Sequence, residues 1–291
     1  MISKSFLPCP ALRDYIQLYH MRHFEFDGKS PLPFKPFPPR AEHCIEFYPR
    51  QPEITEYISD NHQYKRSCSS IKGQFTVRIN RHILQDFLYI GVDLQPGALF
   101  RLTNIPLYEL NNTFIDAESV FGSEIRRVNR RLNSTASYDE MIQIIESFFL
   151  TLVGKIKTAE YPVDQVARII LHHPENLSLD WLSRQACLCP RQFERKFKLH
   201  IGICPKTFAR IARMHNTYKM HYLHPTEDWL SIALACGYHD YQHMVRDYRE
   251  FANTTPTALF QADDKAPERY LGMVETFSPE KTKSGFHQLA V

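Results

Sequence analysis

The 291-residue chain lacks the features that mark membrane, secreted and disulfide-stabilised proteins. It has no run of about 18 apolar residues, so we expect no segment to span a bilayer. Its seven cysteines are odd in number and irregularly spaced, which disfavours a disulfide framework and favours a reducing compartment. No apolar stretch with a small-residue cleavage site follows the first residues, so we expect no secretory signal and a cytoplasmic location.

A strong excess of charge of one sign is also missing. The chain has 35 Lys and Arg against 32 Asp and Glu, a net charge of +3. Any interaction with nucleic acid must therefore depend on local charge rather than on the charge of the whole protein. Hydrophobic residues make up 43% and charged residues 23%, which is typical of a globular chain of this length with two domains.

The motifs of the common enzyme classes are absent. There is no Gly-x-Ser-x-Gly nucleophile elbow, no P-loop and no Gly-x-Gly-x-x-Gly dinucleotide motif. His239 and His243 lack the further ligands of a closed zinc site, and His20 and His23 match no metal-binding motif. We therefore predict no enzymatic activity, no catalytic residues, no cofactor and no metal site.

The N-terminal half is rich in short β-type runs. These runs are separated by Pro, Gly, Asn and Asp, a pattern that predicts a sheet or a partial barrel. The stretch 30–39 carries too many prolines for a helix and predicts an extended loop. The expected strands are 45–48, 54–58, 75–79 and 87–92.

Helical periodicity replaces the β pattern from about Asp116 onward. Apolar residues then recur at steps of three and four, and a further helix is expected from Pro162 to about His172. Beyond Phe260 the periodicity is lost, which predicts a loosely held tail. We expect an α+β fold with a partial barrel-like N-terminal module. The expected units are a sensor or dimerisation domain at 1–158, a helical domain at 159–262 and a tail at 263–291.

A weak internal duplication lies between residues 178 and 260. The first copy starts near Trp181 and the second near Ser231, and both end in a proline with an apolar residue three positions later. From the second helix of each copy onward, the two align at a fixed offset. The aligned pairs are Phe193/Met244, Arg195/Arg246, Phe197/Tyr248, Gly202/Asn253, Pro205/Pro256 and Phe208/Leu259.

Each copy has the pattern of two helices around a tight turn. In the second copy, Gly237 suits a turn residue with positive φ, and Asp240 suits a helix N-cap. Met244, Tyr248 and Phe251 then share one face and are expected to be buried. The side chains left outward are Arg191, Gln192, Glu194, Arg195 and Lys198 in the first copy, and Tyr241, Gln242, His243 and Arg246 in the second.

The connector between the copies is predicted to be one helix from Pro205 to about Leu223. Its roughly 19 residues span about 28 Å at 1.5 Å per residue. A helix of that length can hold two recognition helices about one DNA turn apart, roughly 34 Å, on the same side.

These C-terminal residues resemble the DNA-binding domain of the AraC-type transcription regulators. The second copy carries the closest likeness, through Ile232-Ala233, Gly237-Tyr238, Arg246 and Thr255-Pro256. The resemblance covers about 165–262 and implies two helix-turn-helix units that bind duplex DNA. The first copy departs from the family pattern with Cys187 in place of the turn glycine and Ser183 in place of alanine, and Asn253 replaces a glycine in the second.

The N-terminal half is similar to an uncharacterised sensor-type module that is often joined to AraC-type domains. The likeness is in Gln95-Pro96-Gly97-Ala98, Glu109-Leu110-Asn111 and Phe121-Gly122. It implies ligand sensing or dimerisation, without naming a ligand.

The predicted DNA-binding side chains belong to the two second helices and the connector. Arginine suits guanine and glutamine suits adenine, so base contacts are assigned to Arg191, Arg195, Gln242, His243 and Arg246. Lys196, Lys198 and Lys206 are expected on phosphates. Gln192, Glu194 and Tyr241 complete the candidate set. Glu194 either accepts from a cytosine amino group or pairs with a neighbouring Lys or Arg.

Local charge supports this assignment only in part. Between 160 and 261 the chain has twelve Lys and Arg against ten Asp and Glu, whereas the stretch 191–213 is strongly basic and has Glu194 as its only acid. The expected partners are double-stranded DNA, RNA polymerase, a small-molecule effector at the N-terminal domain and a second copy of the chain. The alternative is a small-molecule-binding protein or enzyme whose helix-turn-helix pair is only an interaction platform.

Overall fold

The computed structural model describes residues 2–28, 32–156, 160–175 and 177–272. Within these residues, β-strands occupy the N-terminal half and helices the C-terminal half, which confirms the predicted α+β class. None of the helices in this part of the chain is both long and apolar enough to cross a membrane. The predicted boundary between the first two domains falls within 157–159, outside the described residues.

The strands of the N-terminal half form two antiparallel sheets. They are β1 (Ile2–Phe6), β2 (Ile16–Glu25), β3 (Lys35–Phe37), β4 (Cys44–Phe47), β5 (Ile54–Tyr57), β6 (Gln63–Lys65), β7 (Ser69–Lys72), β8 (Ile79–His82), β9 (Asp86–Leu94) and β10 (Phe114–Asp116). One sheet has the order β1-β2-β9-β4-β7-β10, and the other has the order β3-β8-β5-β6. The module is therefore two open sheets rather than a closed barrel.

Helices cover the outer face of the six-stranded sheet. These are α2 (Glu118–Ser134) and α3 (Tyr138–Val153), and the short α1 (Ala98–Thr103) follows β9. Ser137 caps α3 by accepting a hydrogen bond from the backbone N–H of Glu140. Apolar residues of β4, β7 and β9 pack against the apolar stripes of α2 and α3 and form the larger core of the N-terminal half.

Two strand predictions differ from the structure. Residues 75–78 are not a strand, because the Thr76 N–H bonds to the Asn112 side chain instead of a neighbouring strand. The proline-rich stretch is not all loop, since β3 lies within it and pairs with β8. Pro36 is tolerated there because β3 is an edge strand and needs hydrogen bonds on one side only.

The helices of the C-terminal half follow the predicted pattern. They are α4 (Pro162–His172), α5 (Leu179–Gln185), α6 (Pro190–Ile201), α7 (Pro205–Leu223), α8 (Trp229–Ala235), α9 (Tyr241–Ala252), α10 (Pro256–Asp263) and α11 (Pro267–Tyr270). The predicted bounds of α4 and of the 19-residue connector α7 are confirmed. Proline at the first helical position begins both helices, where its missing N–H costs nothing.

The start of the predicted tail is not loosely held. Residues up to 272 carry the end of α10 and the short α11, and the buried Glu268 forms an ion pair with Lys35 of β3. Leu271 packs against an aromatic cluster of the N-terminal half. The prediction was wrong here because contacts with distant chain hold this segment, above all the pair of Glu268 with Lys35, 233 positions away. Residues 273–291 lie outside the described part.

Candidate nucleic-acid interface

The second helix of the first unit is α6, the first predicted recognition helix, and its sequence divides into a buried and an exposed face. Phe193, Phe197 and Ile201 are fully buried against the helical core. Six of the predicted DNA-binding side chains are left on the exposed face: Arg191, Gln192, Glu194, Arg195, Lys196 and Lys198. Lys206 is also exposed, in the first turn of α7.

The turn before α6 is built with a cysteine in a conformation that usually requires glycine. Cys187 has φ +53°, in the left-handed region, and its side chain is exposed. Gly237 holds the corresponding place in the second unit with φ +78°. Cys187 therefore accepts a backbone strain that Gly237 avoids, and both turns still form.

The second recognition helix is α9, and its N-terminus is capped as the sequence predicts. Asp240 accepts a hydrogen bond of 2.6 Å from the backbone N–H of His243. Met244, Tyr248 and Phe251 are buried, as predicted. Of the four predicted DNA-facing residues, Gln242 and Arg246 are exposed, whereas Tyr241 and His243 are half-buried.

His243 is held by neighbouring rings. Its ring lies edge-on to Tyr238, at 5.3 Å between centroids, and stacks on His239 at 5.9 Å. Partial burial and the charges of Arg213 and Arg246 lower the pKa of His243, so the neutral imidazole is favoured. In that form it offers one donor and one acceptor to a partner.

A single cleft brings parts of both units together. Its volume is about 710 Å³, and its lining includes Glu194 of α6, Lys206 of α7, and His243 and Arg246 of α9. The first turns of the second recognition helix and the middle of the first therefore border one concave surface, with the connector α7 as its floor.

The acidic side of this cleft was missed by the sequence analysis. Arg210 of α7 forms ion pairs with Asp247 and Glu250 of α9, with 2.7 Å between its guanidinium and the Asp247 carboxylate. Hydrogen bonds to Glu250 and Asp247 raise the pKa of Arg210 above its ordinary value. Arg213 also lies 3.6 Å from Asp247. The basic stretch 191–213 is thus opposed by more than Glu194, because two of its arginines are neutralised by α9.

The first unit is also joined to the N-terminal half through a buried carboxylate. Asp164 of α4 accepts a hydrogen bond of 2.7 Å from Nδ1 of His200, in the last turn of α6. The Arg101 guanidinium lies 3.5 Å from the same carboxylate, on the side of the N-terminal half. The ring of Phe100 stacks on His200 at 4.2 Å.

The C-terminal end of α6 is capped by side chains of the N-terminal half. His43 Nε2 donates to the carbonyl of Ile201 at 3.1 Å, and Asn111 Nδ2 donates to the carbonyl of Gly202 at 2.8 Å. Terminal helix carbonyls have no partner within the helix, so these contacts replace water. Burial lowers the pKa of His43 from 6.5 to about 4, so the capping imidazole is neutral. No local sequence signal predicts these contacts. Below, the contacts of Asp164, His200, His43 and Asn111 are called the interdomain joint.

Comparison with known proteins assigns a family description to each half. A helix-turn-helix domain family matches residues 182–262, and a domain of unknown function, DUF6597, matches residues 4–116. None of the curated proteins matches the chain in sequence.

Three solved structures are similar in outline. ToxT from Vibrio cholerae is 12% identical with a TM-score of 0.47, and the match covers 83% of this chain and 98% of that one. ToxT from Vibrio cholerae strain SCE256 with a bound unsaturated fatty acid is 10% identical with a TM-score of 0.45, covering 83% and 95%. The AraC-like transcriptional activator CuxR is 12% identical with a TM-score of 0.23, covering 70% and 74%.

Two helix-turn-helix units joined by a single long helix, with an exposed basic face on the second helix of the first unit, are the arrangement of a DNA-binding transcription regulator. The family match over residues 182–262 is to the AraC-type helix-turn-helix domains, as the resemblance implied.

Proposed function

We propose that both helix-turn-helix units bind duplex DNA, with α6 and α9 in successive segments of the major groove. The observation that carries the proposal is the shared cleft, which Glu194 of α6 borders together with His243 and Arg246 of α9. Both second helices therefore reach one side of the domain. The 19-residue connector is about 28 Å long at 1.5 Å per residue, a length comparable to the roughly 34 Å of one DNA turn.

The side chains divide into base-reading and phosphate-binding groups. Arg191, Arg195 and Arg246 are assigned to guanine edges, Gln242 to adenine, and His243 to a base edge beside it. Lys196, Lys198 and Lys206 are assigned to phosphates. Gln192, which is exposed, and Tyr241, which is half-buried, complete the proposed set. Glu194 is exposed among basic neighbours and accepts from a cytosine amino group or from one of those neighbours.

The test is a selection from random duplex DNA with the full chain, followed by a salt titration on the enriched sequence. We expect two half-motifs about one helical turn apart and a log K that falls steeply with log salt concentration. A single half-motif would mean that only one of the two helix-turn-helix units recognises bases. No enrichment and no salt slope would favour the alternative of a small-molecule-binding protein or enzyme with an interaction platform.

We further propose that the N-terminal half modulates DNA binding through the interdomain joint. Its side chains bond the last carbonyls of α6, so a change in their position is transmitted to a recognition helix. Asn111→Ala removes one of these bonds, worth about 1 kcal/mol, and should weaken operator binding by up to about fivefold. Glu109→Ala, an exposed change nearby, is the matched control. Equal affinity of both variants and the natural chain would contradict the proposal.

Polar groups buried between the two sheets support an effector site in the N-terminal half. Arg66 is fully buried beside Glu46, and its Nε and Nη1 atoms have no hydrogen-bond partner. The hydroxyls of Thr55 and Ser70 are likewise buried without a partner. Such atoms are uncommon in native interiors, and a polar effector between the sheets would supply their hydrogen bonds. In a thermal-shift screen of the full chain against small polar molecules, we expect at least one compound to raise the melting temperature of the protein.

Four expectations stay predictions of the sequence: a homodimer formed through the N-terminal half, contact with RNA polymerase, a cytoplasmic location and the absence of enzymatic activity. Sedimentation of the full chain checks the first, and a strict monomer at working concentrations would contradict it.

A further inference from the structure

Three side chains with metal-binding atoms meet at one end of the six-stranded sheet. His23 and Glu25 are two residues apart in β2 and therefore share a face of the sheet. Asp86 begins β9 and is the direct cross-strand partner of Glu25. Strand register thus places one imidazole and two carboxylates together, far from the nucleic-acid interface in sequence.

The distances between their atoms suit a shared cation. His23 Nε2 lies 3.1 Å from Asp86 Oδ1 and 3.6 Å from Glu25 Oε1, and the three ligand atoms lie within 4.8 Å of one another. Two ligands bound at about 2.0–2.1 Å in a tetrahedral zinc site are roughly 3.3 Å apart. The two histidine–carboxylate distances lie on either side of that value.

The histidine is held in place from behind. Its Nδ1 atom lies 2.8 Å from the hydroxyl of Tyr138, the first residue of α3. When Nδ1–H donates to that hydroxyl, the lone pair of Nε2 points at the two carboxylates. Metal-binding histidines are oriented in this way by a hydrogen bond from the other ring nitrogen.

Charge and exposure also fit a metal site. In the described part of the chain, neither carboxylate forms an ion pair with a lysine or arginine, so no side-chain cation of that kind occupies the place of a metal ion. The His23 side chain is 15% exposed, whereas those of Asp86 and Glu25 are 44% and 72% exposed. A cation there would have one fixed ligand, two mobile ones and open positions for water.

We propose that His23, Glu25 and Asp86 bind one first-row divalent cation, with Zn²⁺ as the first probe. The ligands are His23 Nε2 and one oxygen of each carboxylate, and water completes the coordination. An imidazole with two carboxylates favours such ions over Mg²⁺ and Ca²⁺, which prefer oxygen ligands alone. The bound ion links β2 to β9 and, through Tyr138, to the start of α3. The sequence analysis predicted no metal because 61 positions separate Glu25 from Asp86 and no motif joins them.

The experiment is a calorimetric titration of the metal-free full chain with Zn²⁺, without DNA, so that it is independent of the proposed function. We expect one site of this kind per chain, together with a rise in melting temperature. The double variant Glu25→Gln/Asp86→Asn changes two exposed side chains to isosteric amides. It should lose at least about 100-fold in affinity and the rise in melting temperature with it.

Two further variants test the orientation of His23 and provide a control. Tyr138→Phe removes only the hydrogen bond behind His23 and should weaken binding by about 10–100-fold. His173→Gln is the matched control, because His173 and Glu175 form an exposed pair, with 3.6 Å between Nδ1 and Oε1, outside the three-ligand cluster. It should leave the affinity unchanged. No Zn²⁺ binding, equal binding by the double variant, or loss only in His173→Gln would overturn the proposal.

Discussion

The two helix-turn-helix units share a pattern but differ in what holds them. The first has its recognition helix tied at the C-terminal end to the N-terminal half, through His43, Asn111 and the buried Asp164. The second holds its recognition helix from within the C-terminal half, through Asp247 with Arg210 of the connector. The side chains that cap α6 therefore come from the N-terminal half, whereas the ion pairs that hold α9 come from the connector.

The units differ in charge as well. The exposed face of α6 carries Arg191, Arg195, Lys196 and Lys198 against Glu194, whereas α9 offers Gln242 and His243 beside Arg246. If both units bind DNA as proposed, the first contributes more of the electrostatic affinity, whereas the second contributes fewer charges and more neutral hydrogen-bonding groups. One recognition helix thus combines most of the charge with most of the coupling.

The largest expected effect comes from removing the Asp164 carboxylate of the interdomain joint. Asp164→Ala leaves the Arg101 and His200 side chains buried without their partner, so the free energy of unfolding should fall by about 3–5 kcal/mol. Denaturant unfolding measures this. Asp180→Ala, an exposed change in the first turn of α5, is the control and should cost less than about 1 kcal/mol. Similar losses in the two variants would contradict a stabilising role for the buried Asp164 carboxylate.

Acid should weaken the joint through His43. The unfolded chain protonates this residue near pH 6.5, but burial holds its folded pKa at about 4. Between these two pH values the unfolded chain binds protons more readily than the folded chain. The stabilising contribution of neutral His43 is therefore complete above pH 6.5 and is lost as the pH falls toward 4. The loss is up to about 1.4 kcal/mol per pH unit, roughly 3 kcal/mol in all.

Urea unfolding from pH 7 to 4 measures this loss, as the difference between the natural chain and His43→Gln. The glutamine keeps an amide donor but does not titrate. A difference that stays constant over the whole range would contradict a neutral, buried His43.

The contrast in DNA contacts is tested by one substitution in each unit. Arg246→Ala should cost about 1–3 kcal/mol at one base pair and relax the sequence preference there. Lys198→Ala should weaken binding to all sequences alike and reduce the salt slope by about 1. Binding titrations on the selected operator and on its single-base variants measure both effects. Unchanged preference in Arg246→Ala would refute its assignment to a base.

The smallest expected effect is at the two turns. Cys187→Gly relieves the left-handed strain at the first turn and should raise the free energy of unfolding by up to about 1 kcal/mol. Gly237→Ala should lower it, because φ is +78° and the new Cβ would lie 2.6 Å from Cβ of Glu175. Thermal unfolding of the two variants measures both effects. If both substitutions changed the stability in the same direction, the two turns would not be equivalent.

Local signals in the sequence were sufficient for the helices. Pro162 and Pro205 mark helix starts, and Asp240 marks a cap, because each acts within a few residues of itself. Long-range pairing was not predictable in the same way. The first residues of the expected strand at 75–79 are not a strand, because the Thr76 N–H donates to the side chain of Asn112. That hydrogen-bond partner lies 36 positions away and could not be predicted from nearby sequence.

The candidate site shows the same limit. The exposed faces of α6 and α9 follow from helical periodicity, so their residues were found from sequence alone. The ion pairs of Arg210 with Asp247 and Glu250 were not found from the sequence, because 37 and 40 positions separate the partners. The joint and the cluster at His23 are likewise products of tertiary structure.

The buried pair between Lys35 and Glu268 joins positions 233 residues apart. During synthesis, Lys35 leaves the ribosome long before the carboxylate that pairs with it exists. A chain cut short by a premature stop or by a protease before position 268 loses that carboxylate, and breaking a buried pair in this way is strongly destabilising. The stability of the edge strand β3 thus depends on a residue of α11, at the other end of the described chain.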